Sequence, residues 1–344
     1  MKFGFFLLSP QIDRKRSAAT ILTDSIALAQ EAERLGFDHL WVAEHHFANL
    51  SLSPSPLLTL SHLAACTQRI RLGTGVLVLP LQDPMRLVEE IAYVDIVSDG
   101  RLDVGVGAGS QIHESRGLGV EFACANDRFV EVLDILHMAF VEGRVEYGGD
   151  HFQVPDTPVS LRPVQRPHPP VYVAGMTSEP QVMRRIAERG YRAFASLFGP
   201  ADGPPSEKRE AVLQGFDAAG VPREQCHYAA QRLIYVTDDP DDARDAAAQA
   251  RETLQLVHAL KGGHAVFDGH FAAPPPDAAP ALSLEDIQRD TMIGAPDQIA
   301  AKIREDQRHL KPEQLSCFMQ FGGLDRERVI LSMRRFMEEV VPAL

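Results

Sequence analysis

Short apolar runs alternate with longer stretches in which apolar positions recur every three or four residues, and this continues along the whole chain. Runs of four to eight apolar residues suit strands buried on both faces, and the stretches between them suit amphipathic helices, so the pattern predicts βα units and a parallel sheet. Seven runs have that length and an eighth, Ile70–Leu79, is longer and interrupted by two glycines: Phe3–Leu8, His39–Ala43, Ile70–Leu79, Leu102–Val106, Val171–Ala174, Ala193–Leu197, Leu233–Val236 and Leu315–Phe321. Ser53 before Pro54, and Asp83 before Pro84, each place an N-cap residue ahead of a proline at the first helical position. Gly36 and Gly190 stand where a left-handed residue closes a helix. The expectation is one (β/α)8 TIM barrel spanning residues 1–344, a length such barrels reach.

Two stretches break the rhythm. Residues 143–170 carry glycines, prolines and an alternating run (Val145, Tyr147, Phe152, Val154), which predicts a hairpin inserted after the fourth unit. Residues 261–283 are rich in Gly, Ala and Pro without a clear period, and read either as a mobile loop over the active face, inserted before strand 8, or as a plain connector.

Composition narrows the function classes. With 45% hydrophobic and 24% charged residues the chain can bury a substantial core. A formal charge of −13 argues against nucleic acid or anionic lipid as a partner, since both need a basic face. Met1–Leu8 is short and soon meets Pro10, so it reads as a buried strand rather than a secretory signal, and no segment has the roughly 20 apolar residues of a membrane span. Cys66, Cys124, Cys226 and Cys317 form neither a C-x-x-C pair nor a disulfide framework, which suits a cytoplasmic protein.

Four constellations carry candidate chemistry. In Trp41-Val42-Ala43-Glu44-His45-His46-Phe47, a glutamate and two histidines follow the second strand, at the barrel face where active sites form. Neighbouring side chains on extended backbone point apart, so His45 and His46 are poorly placed to grip one metal, and no metal site is expected. A histidine facing the barrel mouth is either a proton-transfer group or a structural residue. Arg71 to Pro80 is a strand interrupted by Gly73 and Gly75, as where a flat ligand meets backbone. Asp103 to Ser110 ends in glycines, but Ser110 replaces the last glycine of a dinucleotide fingerprint and no helix opens at once. Val171 to Pro180 runs from a strand into Gly175, Met176, Thr177 and Ser178 at a helix start, which serve either as a phosphate cradle or as a plain cap.

Together these stretches resemble the luciferase-like flavin monooxygenases over nearly the whole chain. The opening Met1 to Leu8, Glu44 to Phe47, Gly73 to Pro80, Ser98-Asp99-Gly100-Arg101 and Val171-Tyr172-Val173 match the luciferase α subunit in order and spacing, and Ile293 to Pro296 and Phe321 to Leu324 are similar to that family's ending. The resemblance implies a barrel that binds FMN at the C-terminal ends of its strands, with reduced FMN supplied by a transient flavin reductase. The flavin would react with O2 to give a C4a-peroxide that oxygenates a small organic substrate. It further implies a homodimer, with Leu57, Leu58, Leu60 and Leu63 serving either that interface or the core.

By the same resemblance His45 is the catalytic histidine, and Gly75–Val76 is a non-proline cis peptide beneath the flavin ring. Glu44, Thr74, Gly75, Val76, Gly107, Arg128, Gly175, Met176, Thr177 and Ser178 would bind the cofactor, Arg128 and the 175–178 segment at its phosphate. Phe6, His46, Gln111, His113 and Phe321 are the candidate substrate pocket, although Gln111, His113 and Glu114 could equally face solvent. Two positions depart from luciferase: Gly107 replaces a cysteine and Ala108 an arginine. Two other readings stay open: a deazaflavin (F420)-dependent hydride-transfer oxidoreductase on the same fold, and a flavin-binding protein without catalysis.

Overall fold

A computed structural model describes residues 1–175, 179–197, 205–276 and 283–344. Eight parallel strands close into a barrel: β1 (Lys2–Leu7), β2 (His39–Val42), β3 (Arg71–Thr74), β4 (Leu102–Gly107), β5 (Val171–Ala174), β6 (Arg192–Leu197), β7 (Tyr228–Val236) and β8 (Gln314–Phe318). Each pairs with the next, and β8 closes on β1 in the register Phe5↔Cys317 and Phe6↔Phe318. Helices follow every strand, beginning with Ala18–Leu35 after β1, Pro56–Cys66 after β2, Pro84–Val97 after β3 and Ala125–Val141 after β4. Among the described residues no helix is long and apolar enough to cross a membrane.

Local signals explain most helix ends. Asp83 caps its helix by accepting from the Arg86 N–H, and Pro84 follows at the first position. The cap expected at Ser53 lies two residues on: Ser55 accepts from Leu58 N–H ahead of Pro56. The repeated Ser-Pro offers both registers, and burial decides, because this one puts Leu57, Leu60 and Leu63 inside and leaves Leu58 73% exposed. Gly36 (φ 91) and Gly190 (φ 64) adopt the left-handed conformation expected of them.

The barrel interior is organised around Trp41, the only tryptophan, which is fully buried. Its indole occupies the space that side chains on neighbouring strands would need: a Cβ on Gly73 would lie 2.3 Å from the ring, and one on Gly4 2.9 Å from Nε1. Tyr172 and Phe194 complete the layer, with ring centroids 4.9 and 5.3 Å from the indole. The interior glycines thus make room for one large side chain.

Three segments differ from the periodicity reading. The continuous strand expected over Ile70–Leu79 stops at Thr74 and resumes as Leu77–Val78, which pairs with Val106 and Gly107. Between them the Gly75–Val76 peptide is cis. Gly105 permits this close crossing, since a Cβ there would meet the Thr74 carbonyl oxygen at 2.0 Å. β7 begins five residues earlier than Leu233, because its first half carries Ala229, Ala230, Gln231 and Arg232, whose polar members mask the apolar signal.

Segment 261–283 is not structureless where it is described. Val266–Asp268 and Phe271–Ala273 form a hairpin, held down by Ala272 N–H to Asn49 Oδ1 (2.9 Å) and by His270 Nε2 against Gln11 Oε1 (2.8 Å). Residues 277–282 lie outside the described residues. In the earlier insertion, Arg144–Gly148 pairs antiparallel with Gln153–Pro158. Met292–Gly294 adds an unforeseen short strand beside the end of β7.

Candidate active site at the C-terminal ends of the strands

The chain leaves β2 through Glu44, His45 and His46, then turns at Phe47 in a left-handed conformation (φ 60) uncommon for a residue with a side chain. The turn lays the Phe47 ring over Gly117, where a Cβ would lie 2.4 Å from it. This contact docks the loop on the helix Ile112–Gly117, the first turn after β4. Glu114 of that helix reaches both histidines with one oxygen, 2.9 Å from His45 Nδ1 and 3.0 Å from the His46 N–H it accepts.

Glu114 is buried, which disfavours its charge. The bond to His45, the His46 amide and the nearby His113 outweigh that cost and hold its carboxyl below the usual range. A carboxylate only accepts, so His45 Nδ1 carries the proton and Nε2 is the unprotonated nitrogen. No described residue bonds to Nε2, and the side chain is partly open. Gln111, also buried, lies with its side-chain amide 3.2 Å from the same ring nitrogen, and a protonated Nδ1 calls for its otherwise unpartnered oxygen on that side.

His46 pairs with the other carboxylate. Glu44 accepts from His46 Nε2 (3.1 Å), Gln82 Nε2 (2.9 Å) and the Val78 N–H (3.1 Å), and so ties the histidine loop to the strand segment after the cis peptide. Burial works against protonating His46, but Glu44 and Glu114 prevail and its pKa is raised. A raised folded-state pKa adds stability that is fully present below the unfolded value of about 6.5 and is lost as pH rises through the folded value. His46→Gln is therefore expected to lower Tm most below pH ~6.5, with the difference from wild type closing above it, as read by thermal unfolding across pH. Glu114 has the opposite sign: its contribution is fully present above the unfolded value of about 4.5 and is lost as pH falls through the lower folded value, so the two windows are separate.

The remaining expected residues fall into groups. Phe6 lies against the cis peptide, its ring 3.1 Å from where a Gly75 Cβ would be. A Cβ on Gly107 would meet Val76 Cγ2 at 2.9 Å, so the bare backbone there lets Val76 sit over β4. Thr74 is buried and donates its hydroxyl to the Gly105 carbonyl (2.7 Å). Arg128 donates through Nε to the Pro80 carbonyl (2.9 Å) and lies over the Phe152 ring at 4.5 Å, leaving both terminal nitrogens without a bond to any described residue. Glu131, one turn further along that helix, anchors the inserted hairpin by accepting from the amides of Asp150, His151 and Phe152, and thereby holds Phe152 under the guanidinium.

His113 is half-buried, its pKa lowered chiefly by burial, with Nε2 3.1 Å from the His46 carbonyl. Phe321 is fully enclosed behind Phe318 and beside Tyr235. Gly175 is left-handed (φ 69) with open space where a Cβ would be, while Met176, Thr177 and Ser178 lie outside the described residues. Among the motif residues, Arg101 proves structural: it donates to the Ala64, Ile70 and Ser98 carbonyls and to Thr67 Oγ1, away from the histidines. The role of Glu114 was not legible, since nothing local marks a residue 69 positions from its partner.

The family described as luciferase-like monooxygenase matches residues 1–310. The alkanal monooxygenase alpha chain of the Kryptophanaron alfredi symbiont is 31% identical over 100% of this chain and 98% of its own length. The oxygenase component of the flavin-dependent trigonelline monooxygenase of Acinetobacter baylyi is 26% identical over 100% and 95%. Among solved structures, the monooxygenase RslO1 from Streptomyces bottropensis superposes with a TM-score of 0.85 at 25% identity, covering 99% of both chains. An F420-dependent secondary alcohol dehydrogenase shares the fold at a TM-score of 0.77 and 19% identity, covering 99% and 98%. The family match covers the first seven barrel strands and the histidine loop, and this chain belongs to the luciferase-like monooxygenases.

Proposed function

We propose that the protein is the oxygenase component of a two-component system, taking reduced FMN from a separate reductase and using O2 to insert one oxygen atom into a small organic substrate. The observation that carries this reading is His45, whose Nδ1 is committed to a buried carboxylate while Nε2 is unbonded at the active-site face. When bound, reduced flavin supplies the two electrons that activate O2, one oxygen entering the substrate and the other leaving as water.

The residues suit that cofactor. Gly75 and Val76 would present their backbone to a flat ring, with Gly107 making room for Val76 and Glu44 holding the segment behind them. The Arg128 plane, fixed at Nε and by Phe152, presents its other two nitrogens to a phosphate, a fork that matches phosphate oxygens. Gly175 to Ser178 would complete the phosphate site, taking over from the arginine that Ala108 replaces. His45 Nε2 would accept and return the proton that moves as oxygen is transferred, and Glu114 acts as a positioning residue by holding the tautomer. His46, Gln111, His113 and Phe6 would surround the substrate.

The oxygenase component among the relatives supports the reductase partner. The deazaflavin reading rests on the shared fold alone. Anaerobic titration with FMN, reduced FMN and reduced F420 separates the two: tight reduced FMN and O2-dependent product favour the oxygenase, whereas binding of F420 alone would replace it with hydride transfer. Binding without turnover across a substrate panel would leave a flavin carrier.

Glu114→Gln would let an amide N–H face Nδ1 and favour the wrong tautomer, so kcat is expected to fall by about 10²-fold with KM little changed, as read by steady-state kinetics. The same reading includes a homodimer, working in the cytoplasm with its four cysteines free. Leu58, Tyr93 and Val97 project outward from the adjacent helices Pro56–Cys66 and Pro84–Val97. Leu58→Asp should shift the light-scattering mass toward that of one chain, 37.9 kDa.

A further inference from the structure

We propose that the opposite, N-terminal mouth of the barrel is a second binding site, built for a small oxyanion such as a carboxylate or inorganic phosphate. A cavity of about 350 Å³ opens there, lined by Lys2, His39, Arg192, Tyr228 and Gln314 among others. Three of these are buried polar side chains whose polar atoms have no partner: His39 Nδ1, Tyr228 Oη, and both Oε1 and Nε2 of Gln314. Just inside, Trp41 Nε1, Ser316 Oγ and Gln231 Nε2 are likewise buried and unpaired. Trp41 Nε1 and Gln314 Nε2 converge at Gly4, 2.9 and 3.2 Å from where its Cβ would be.

Leaving a buried donor or acceptor unpaired costs about 1–3 kcal/mol, so such a concentration at one end of the barrel calls for an occupant. Trp41 Nε1, Gln231 Nε2 and Gln314 Nε2 are donors and the Tyr228 and Ser316 hydroxyls can donate, while His39 Nδ1 and Gln314 Oε1 accept; two cations border them. Arg192 donates to Tyr172 Oη (2.6 Å) and lies 5.1 Å from that ring's centroid, which orients the guanidinium, and its remaining nitrogens meet no acceptor among the described residues. Lys2 Nζ, at the rim, meets none among the described residues either.

The opposing charges are already engaged. Glu313 at the rim has Oε1 2.7 Å from His227 Nδ1, and Asp103, one layer deeper, has both oxygens on Arg71 at 2.7 and 2.9 Å. Burial, and after it Arg71, Lys2 and Arg192, pushes His39 down to about 3, so it is neutral; its Nε2 lies 3.3 Å from Asp103 Oδ2, which leaves Nδ1 as an acceptor. Water alone would satisfy the donors but would leave the half-buried Arg192 guanidinium without an opposite charge. An oxyanion does both.

Because Trp41 is the only tryptophan, its indole N–H is a unique NMR reporter for this chamber. The full-length protein is titrated with sodium acetate and, separately, with sodium phosphate, against sodium chloride at matched ionic strength. A saturable shift of the indole resonance with acetate, phosphate or both is the expected result, and which anion produces it identifies the class. Arg192→Met and the exposed Lys2→Met should each weaken the apparent Kd by about tenfold, the loss of one charge-assisted contact. Lys2→Met keeps the test open if Arg192→Met folds poorly. A shift that chloride reproduces, no shift at all, or saturable binding indifferent to Lys2→Met would leave a water-filled chamber and overturn the proposal.

Discussion

His45→Ala is expected to lower kcat by about 10²–10⁴-fold, the usual loss when a positioned proton-transfer group is removed, while reduced FMN still binds. The loss should exceed that of Glu114→Gln, which keeps an imidazole in place, and single-turnover oxygenation after mixing with O2 would read the chemical step directly. Removing the imidazole also leaves the buried Glu114 carboxylate with only the His46 amide, so a drop in stability is expected alongside. The double variant His45→Ala/Glu114→Gln separates the effects, because it restores stability without restoring turnover. Wild-type turnover in His45→Ala would sink the assignment.

Trp41→Ala should produce the largest loss of stability of any single change in the barrel interior, about 3–5 kcal/mol against a total of about 5–15. The reason lies in the neighbours. Gly4, Gly73 and Gly105 all approach the indole closely, so none has a side chain that could swing into the vacated space. Tyr172 and Phe194 would each lose an aromatic contact as well. Urea unfolding gives the number, with the exposed Leu58→Ala as a control near zero. A loss under about 1 kcal/mol would mean that the strands collapse onto the gap.

Much of the fold was legible because strand and helix periodicities are local and strong. The eight apolar runs lie on the eight barrel strands, and Asp83–Pro84, Gly36 and Gly190 punctuate the helices as their backbone chemistry dictates. Where legibility failed, something non-local had overridden the pattern. Inward polar residues hid the first half of β7, burial chose Ser55 over Ser53, and the pins to Asn49 and Gln11 turned an apparent loop into a hairpin.

The site divides in the same way. His45 and its position after β2 could be read because a strand end on a parallel barrel has a known destination. What His45 does with its two nitrogens depends on Glu114, which joins it only when β2 and the helix after β4 come together at one rim. Arg128 depends on Phe152, delivered by an inserted hairpin that Glu131 anchors. By itself, then, the sequence determined the barrel, the candidate face at the C-terminal ends of its strands and the residue types placed there. Tertiary structure alone decided the tautomer, the pairing of each histidine with its own carboxylate and the unpaired polar chamber at the opposite mouth. Periodicity follows from neighbours along the chain, whereas protonation and hydrogen-bond partners follow from groups that only folding brings within 3 Å or so of each other.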